Sequence, residues 1–137
     1  MLSGGCLCGA VRYRITTNIK YITHCHCSMC RKQHGAAFAS YALIGSKHVQ
    51  IEDAEAQLCT YASSPSASRR FCGRCGSSLF WQQDSTPQLI DVALGTLDDD
   101  PVHRADAHIF VASKAPWFEI TDDLPQYEAL MPDPKGT

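Results

Sequence analysis

Apolar and polar positions along the chain alternate in short runs. Val11, Tyr13 and Ile15 are interleaved with Arg12 and Arg14, the two-residue period of a strand with one face in a core and the other in water. Comparable runs, rich in β-branched and aromatic residues and separated by turn formers, fall at 38–43, 49–51, 58–61, 79–81, 89–94, 108–111 and 117–120. Sustained 3.6-residue patterns are missing. One short helical turn is expected after Cys27, through 29–33, and another near 126–130. The Ser/Pro-rich stretch 62–68 reads as a loop between strands. The pattern predicts a mainly β fold of antiparallel sheets.

Composition sets the scale of that fold. With 137 residues, 45% of them hydrophobic, the chain is long enough for one domain with a sizeable core. A single domain over 1–137 is expected, with its core at about 4–127 and a loose tail at 131–137, where two prolines and a glycine follow one another. A net charge of -2 provides no basic field, so nucleic acid is not an expected partner. No apolar run approaches the roughly 20 residues of a membrane span, and no membrane partner is expected. The N-terminus shows neither the basic region nor the apolar stretch of a secretory leader, so the expected location is the cytoplasm.

Eight cysteines then need a reason. A disulfide framework suits small secreted domains, not a reducing compartment, and metal ligation is the better reading. Seven of the eight fall in three tight groups: Cys6 and Cys8; Cys25, Cys27 and Cys30; Cys72 and Cys75. Zinc favours tetrahedral thiolate or imidazole ligation, and two cysteines on one turn make half such a site. The simplest partition puts Cys6, Cys8, Cys72 and Cys75 on one ion and Cys25, Cys27 and Cys30 on another, although spacing alone does not force it. The first set would be closed and structural. The second would leave one position open, as catalytic zinc does. His26 is the main rival as a fourth ligand, ahead of His24, His34 and Cys59, whereas His108 reads as a packed or hydrogen-bonded imidazole. Arg31, Lys32, Arg70 and Arg74 lie within a few residues of the cysteines and are either donors to sulfur or solvated surface charges.

The order Gly-Gly-Cys-x-Cys-Gly-Ala-Val-x-Tyr, then Cys-His-Cys-x-x-Cys-Arg-Lys, then Arg-x-Phe-Cys-x-x-Cys-Gly resembles a known family. It is similar to the glutathione-dependent formaldehyde-activating enzymes, a family that also includes the centromere protein V group. The likeness continues through Gly95 to Asp99, His108-Ile109, Lys114 to Trp117 and Asp123 to Pro125. It implies a β-tent of packed antiparallel sheets stapled by zinc. It also implies two zinc ions per chain, with Cys6, Cys8, Cys72 and Cys75 structural and Cys25, Cys27 and Cys30 catalytic. The implied activity is that of a carbon–sulfur lyase, forming or cleaving S-hydroxymethylglutathione-type adducts of a small thiol such as glutathione and an aldehyde. Arg31, Lys32, Arg69, Arg70 and Lys114 are the cations available to hold the thiol's carboxylates, with Trp117 as a wall. The alternative is a non-catalytic zinc-binding module for protein interaction. A homodimer is left open.

Overall fold

The computed structural model describes residues 1–132. From residue 133 onward the expected tail lies outside them. In chain order the elements are β1 (Leu2–Gly5), β2 (Arg12–Ile15), β3 (Ile22–Cys25), α1 (Ser28–His34), β4 (Ala39–Gly45), β5 (Val49–Glu52), β6 (Leu58–Ser64), β7 (Ala67–Cys72), β8 (Ser78–Gln83), β9 (Leu89–Ala93) and β10 (Ala107–Ile109). They form two sheets, one ordered β1-β2-β5 and one ordered β10-β3-β4-β9-β8-β7-β6. The architecture is the mainly β pair of packed sheets that the resemblance implies. Every pairing is antiparallel except β10 with β3. That parallel pair joins segments separated by most of the chain, the long connection that parallel strands require.

Alternation along each strand decides what lies on either side of the larger sheet. Ala42 and Ile44 of β4, Ile90 and Val92 of β9 and Phe80 of β8 turn inward and meet Tyr13 and Ile15 of the smaller sheet and Val11 just before it. The Tyr13 and Phe80 rings meet edge to face, 5.5 Å between centroids. The alternate residues Ala39, Tyr41 and Ala93 turn to the opposite face, where they pack with Cys25 and Cys30. One face therefore makes the core and the other carries a cysteine cluster.

Three local expectations are corrected. The stretch 62–68 is the tip of a β6–β7 hairpin, since cross-strand pairing with β7 and β8 outweighs the weak strand preference of Ser and Ala. No strand forms at 117–120, where a turn follows Pro116. No helix forms at 126–130, because its backbone groups are taken by the neighbourhood of β10. The amide of Tyr127 donates to His108 O at 3.0 Å and the amide of Phe110 to Ala129 O at 3.0 Å. That irregular segment covers a sheet edge that would otherwise be open.

Asp91 sits half-buried on the cysteine-bearing face, opposite Leu43 on one side and Trp81 on the other. Burial among these apolar neighbours pushes its carboxyl up to about 7. The native state thus holds this proton more tightly than the unfolded chain does. Its contribution to stability is full below the ordinary carboxylate pKa, declines as pH rises through about 7 and is level above it. Asp91→Asn is expected to remove that decline. Thermal melts of both proteins across this pH range should show the variant gaining at neutral pH, by roughly 4 °C, the shift that about 1 kcal/mol produces at this size. Parallel pH profiles would overturn the assignment.

Candidate metal centres and their surroundings

Two tight turns bring the four-cysteine cluster together. Cys6 and Cys8 lie in the connection between β1 and β2, and Cys72 and Cys75 at the connection between β7 and β8. Gly76, with φ of +81°, lets the second turn close so that its amide donates to Cys72 O at 2.8 Å. The Sγ atoms of Cys6 and Cys8 are 3.6 Å apart and those of Cys8 and Cys72 3.8 Å apart. A zinc ion bound by four sulfurs at about 2.3 Å would set them about 3.8 Å apart, so the set fits the ion. Backbone and hydroxyl donors suit thiolates here. The Val11 amide donates to Cys6 Sγ at 3.3 Å, and Ser77 Oγ lies 3.3 Å from Cys75 Sγ. The Ser77 hydroxyl holds the Cys75 thiol down to about 5. Ser77 Oγ also accepts from the Leu7 amide at 2.9 Å, tying the two turns to each other.

The three-cysteine cluster forms where β3 runs into α1. Cys25 ends β3, Cys27 caps the helix with its Sγ accepting from the Cys30 amide at 3.3 Å, and Cys30 is buried in the first turn. The three sulfurs lie within 4.8 Å of one another. Crowded together, the thiols share protons unequally. Hydrogen bonds from Cys25 and then Cys30 drive Cys27 down to about 2, while bonds with Cys27 and then Cys30 drive Cys25 far up. A cation is what would let all three ionise, so this donor set also fits a soft divalent metal.

A buried cation, Arg69, lies against one of these sulfurs. It is 3% exposed, reaching from β7 across the sheet. Its Nη1 and Nη2 donate to Cys30 Sγ at 3.7 and 3.6 Å, and Nη1 also donates to Gln33 Oε1 at 2.9 Å and to the Tyr41 hydroxyl at 3.4 Å. His34 Nε2 lies 3.0 Å from the same hydroxyl. In the sequence Arg69 stands only among the available carboxylate anchors, and the expected donors to sulfur are Arg31, Lys32, Arg70 and Arg74. Strand parity separates the two arginines, since Arg70 points to the other face with its guanidinium 5.0 Å from the Phe80 ring centre. Arg74 forks onto Glu55 at the surface.

His26 is not among the ligand atoms that converge with the three sulfurs. Its Nε2 lies 2.7 Å from His108 Nδ1, and His108 Nε2 lies 2.9 Å from Asp122 Oδ2. With Asp122 accepting from His108, His108 Nδ1 accepts from His26 Nε2–H. Both imidazoles are fully buried, and burial holds His26 down to about 4. This chain pins the Cys25–Cys27 segment, helped by the His26 amide donating to Ile109 O at 2.9 Å. Nothing in the residues around Asp122 signals this role, which depends on β10 lying beside β3. Cys59 is not among the converging donors of either cluster, its thiol facing Gln57 O at 3.6 Å.

The remaining sequence candidates are dispersed. Arg31 and Lys32 lie on α1 beside Cys30, Lys32 exposed. The Lys114 ammonium donates to the carbonyls of Ala115 and Phe118 in its own loop. Trp117 is 70% exposed on that loop. All eight cysteines are free thiols, and no helix among the described residues is long and apolar enough to cross a membrane.

Known proteins resemble this chain. Residues 1–113 match the family model described as glutathione-dependent formaldehyde-activating enzyme. A Halomonas elongata protein named "Putative glutathione-dependent formaldehyde-activating enzyme" is 33% identical over 131 residues, covering 88% of this chain and 81% of that one. An uncharacterized lyase of Schizosaccharomyces pombe is 30% identical over 78 residues, 57% of this chain and 55% of its own. A crystal structure of a Rhodobacter sphaeroides protein superposes with a TM-score of 0.60 at 26% identity, covering 72% of this chain and 89% of that one. Two cysteine clusters on one pair of packed sheets, together with a match across most of the chain, place this protein in the glutathione-dependent formaldehyde-activating enzyme family.

Proposed function

We propose that the chain is a zinc-dependent carbon–sulfur lyase. It joins a small thiol such as glutathione to an aldehyde such as formaldehyde, or separates them, at Cys25, Cys27 and Cys30. The single observation behind this reading is the count of converging donors: three at this cluster, against four at the other. Three protein ligands leave a tetrahedral ion one place for a substrate. Bound there, zinc would supply Lewis acidity and lower the pKa of an incoming thiol.

The chain's own residues do the rest. Arg69 offsets the negative charge of the thiolates through Cys30 Sγ, and Tyr41 and Gln33 hold its guanidinium in place. His26, locked by His108 and Asp122, keeps Cys25 and Cys27 at fixed separation. The addition balances without any redox step. The thiol sulfur bonds to the aldehyde carbon, the carbonyl π pair moves to oxygen, and the proton lost by sulfur ends on that oxygen.

Cys6, Cys8, Cys72 and Cys75 hold the second zinc as a structural staple. The chain works as one domain, and a reducing compartment such as the cytoplasm suits its free thiols. Zinc content per chain is the test, measured before and after brief mild chelation. Two zincs falling to one with the circular dichroism spectrum retained is the expected result. Two zincs held until the protein unfolds would instead indicate a non-catalytic zinc module.

A further inference from the structure

The larger sheet is closed at one edge and open at the other. At the β10 edge the segment 125–129 supplies partners, the His108 amide donating to Pro125 O at 2.9 Å and the Tyr127 amide to His108 O at 3.0 Å. At the opposite edge β6 has no neighbour beyond β7 among the described residues. β6 runs Leu-Cys-Thr-Tyr-Ala-Ser-Ser, seven residues without a proline or a charge. Prolines and charges are the usual devices that keep an edge strand from pairing. In the smaller sheet β1 is bridged to Leu97, and β5 is four residues long and carries Glu52. Cys59 to Ala62 are all exposed, Tyr61 at 62%.

Hydrogen-bond parity decides which backbone groups of β6 are free. Gln57 O accepts from the Gly73 amide at 2.7 Å, so Gln57, Cys59 and Tyr61 direct their backbone groups to β7, with Cys59 opposite Phe71 and Tyr61 opposite Arg69. Leu58, Thr60 and Ala62 direct theirs outward. The Leu58 amide is already taken by Asp53 Oδ2 at 2.9 Å, and the register with β7 shifts between Ala62 and Ser64. The free part of the edge is therefore centred on Tyr61. Thr60 and Ala62 flank it, and their N–H and C=O groups point into solvent.

We infer that β6 is the interface of a two-fold dimer, in which it pairs antiparallel with β6 of a second copy about an axis beside Tyr61. Thr60 then exchanges N–H and C=O bonds with Ala62 of the second copy, and Ala62 does the same with that copy's Thr60. Between them the two Tyr61 side chains stand directly opposite in a non-hydrogen-bonded pair, where side chains approach most closely in an antiparallel ladder. No like charges are brought together, since β6 holds none. The occupant is a second copy because the free groups are self-complementary about Tyr61. The association stops at two because 125–129 occupies the far edge of the sheet, so the contact is isologous and closed. Tyr61 shares a face with Arg69 and Trp81, which puts the three-cysteine clusters of both copies on the same side of the joined sheet. One strand pair buries little area, so the dimer dissociates on dilution. The inference is independent of the chemistry at either cluster.

The experiment is sedimentation equilibrium of the zinc-loaded full chain over a wide concentration range, for wild type, Tyr61→Lys, Tyr61→Glu, an equal mixture of those two, and Val102→Lys. Val102 is 80% exposed and lies far from β6 in sequence, so it controls for loss of surface hydrophobicity. Zinc content and thermal midpoint are recorded for each protein and should not change. Wild type should pass from monomer to dimer as concentration rises. Each Tyr61 variant alone should dimerise at least about tenfold more weakly, because like charges then stand directly opposite. Mixing them should recover at least about tenfold, and Val102→Lys should match wild type. In wild type the amides of Thr60 and Ala62 should exchange with solvent more slowly as the dimer forms, while those of Cys59 and Tyr61, already bonded to β7, should be protected at every concentration. A monomer throughout would overturn the dimer and leave the edge to a strand of another protein. Dimerisation unchanged by both Tyr61 variants, or weakened equally by Val102→Lys, would place the contact elsewhere and overturn it too. Assembly beyond two copies would overturn the closed, isologous pairing.

Discussion

Cys72→Ser is expected to leave little or no folded protein. Cys72 is fully buried, joins the core and lies where the hairpin turns of the two sheets meet. Apparent binding energies for structural zinc are about 10–16 kcal/mol, as large as the about 5–15 kcal/mol that holds a whole domain together. Losing one of four ligands therefore removes most of the stability available. Soluble yield, far-ultraviolet circular dichroism and zinc per chain are the measurements. Cys27→Ser should differ sharply. Its oxygen can still cap α1 by accepting from the Cys30 amide, a role serine fills well. That variant should fold and carry one zinc fewer. If both variants unfold alike, the division of labour between the clusters is wrong. If Cys72→Ser melts like wild type, the staple is wrong.

Arg69→Met should produce the second-largest effect. Methionine preserves much of the buried volume but removes the positive charge beside Cys30 Sγ, and it leaves Gln33 and the Tyr41 hydroxyl without their donor. Breaking one side of a buried charged network costs about 3–5 kcal/mol. Loss of a group that hydrogen-bonds a metal ligand typically weakens metal affinity about 10–100-fold. Competition with a chromophoric chelator should show one zinc released more easily and the other unchanged. Arg69→Lys should recover part of the affinity, since it restores charge but not the fork that spans Cys30, Gln33 and Tyr41. Arg70→Met is the control, lying on the opposite face over Phe80. Equal effects at the two arginines would mean that packing, not charge, explains the result.

How much of this could be read beforehand differs from element to element. The strand at 11–15 was legible because Arg12 and Arg14 mark its exposed side, and α1 because Cys27 to Gly35 carries cap and helix formers in order. The strand Ala67–Cys72 was not legible. Its Ser and Arg residues carry no apolar alternation, and only the register with β8 makes Arg69 an inward residue. The same step decides which of two adjacent arginines reaches the cysteines, a choice that depends on strand parity within a sheet. Lys114 looked available as an anchor and is bound by its own loop.

The sequence by itself determined the chemistry on offer. Cysteine spacing on turns sets which sulfurs can share an ion locally, and alternation sets the mainly β class, because both depend on neighbours within a few residues. Tertiary structure alone decided what each site can do. The pairing of Cys6 and Cys8 with Cys72 and Cys75 required two hairpins from different sheets to meet. The Asp122–His108–His26 chain required β10 to run parallel to β3, and Arg69 required β7, four places from β3 in the sheet, to face Cys30 of α1. These contacts join residues tens of positions apart, and no local pattern encodes them. They follow from burying the apolar positions that strands such as β2, β4 and β9 present.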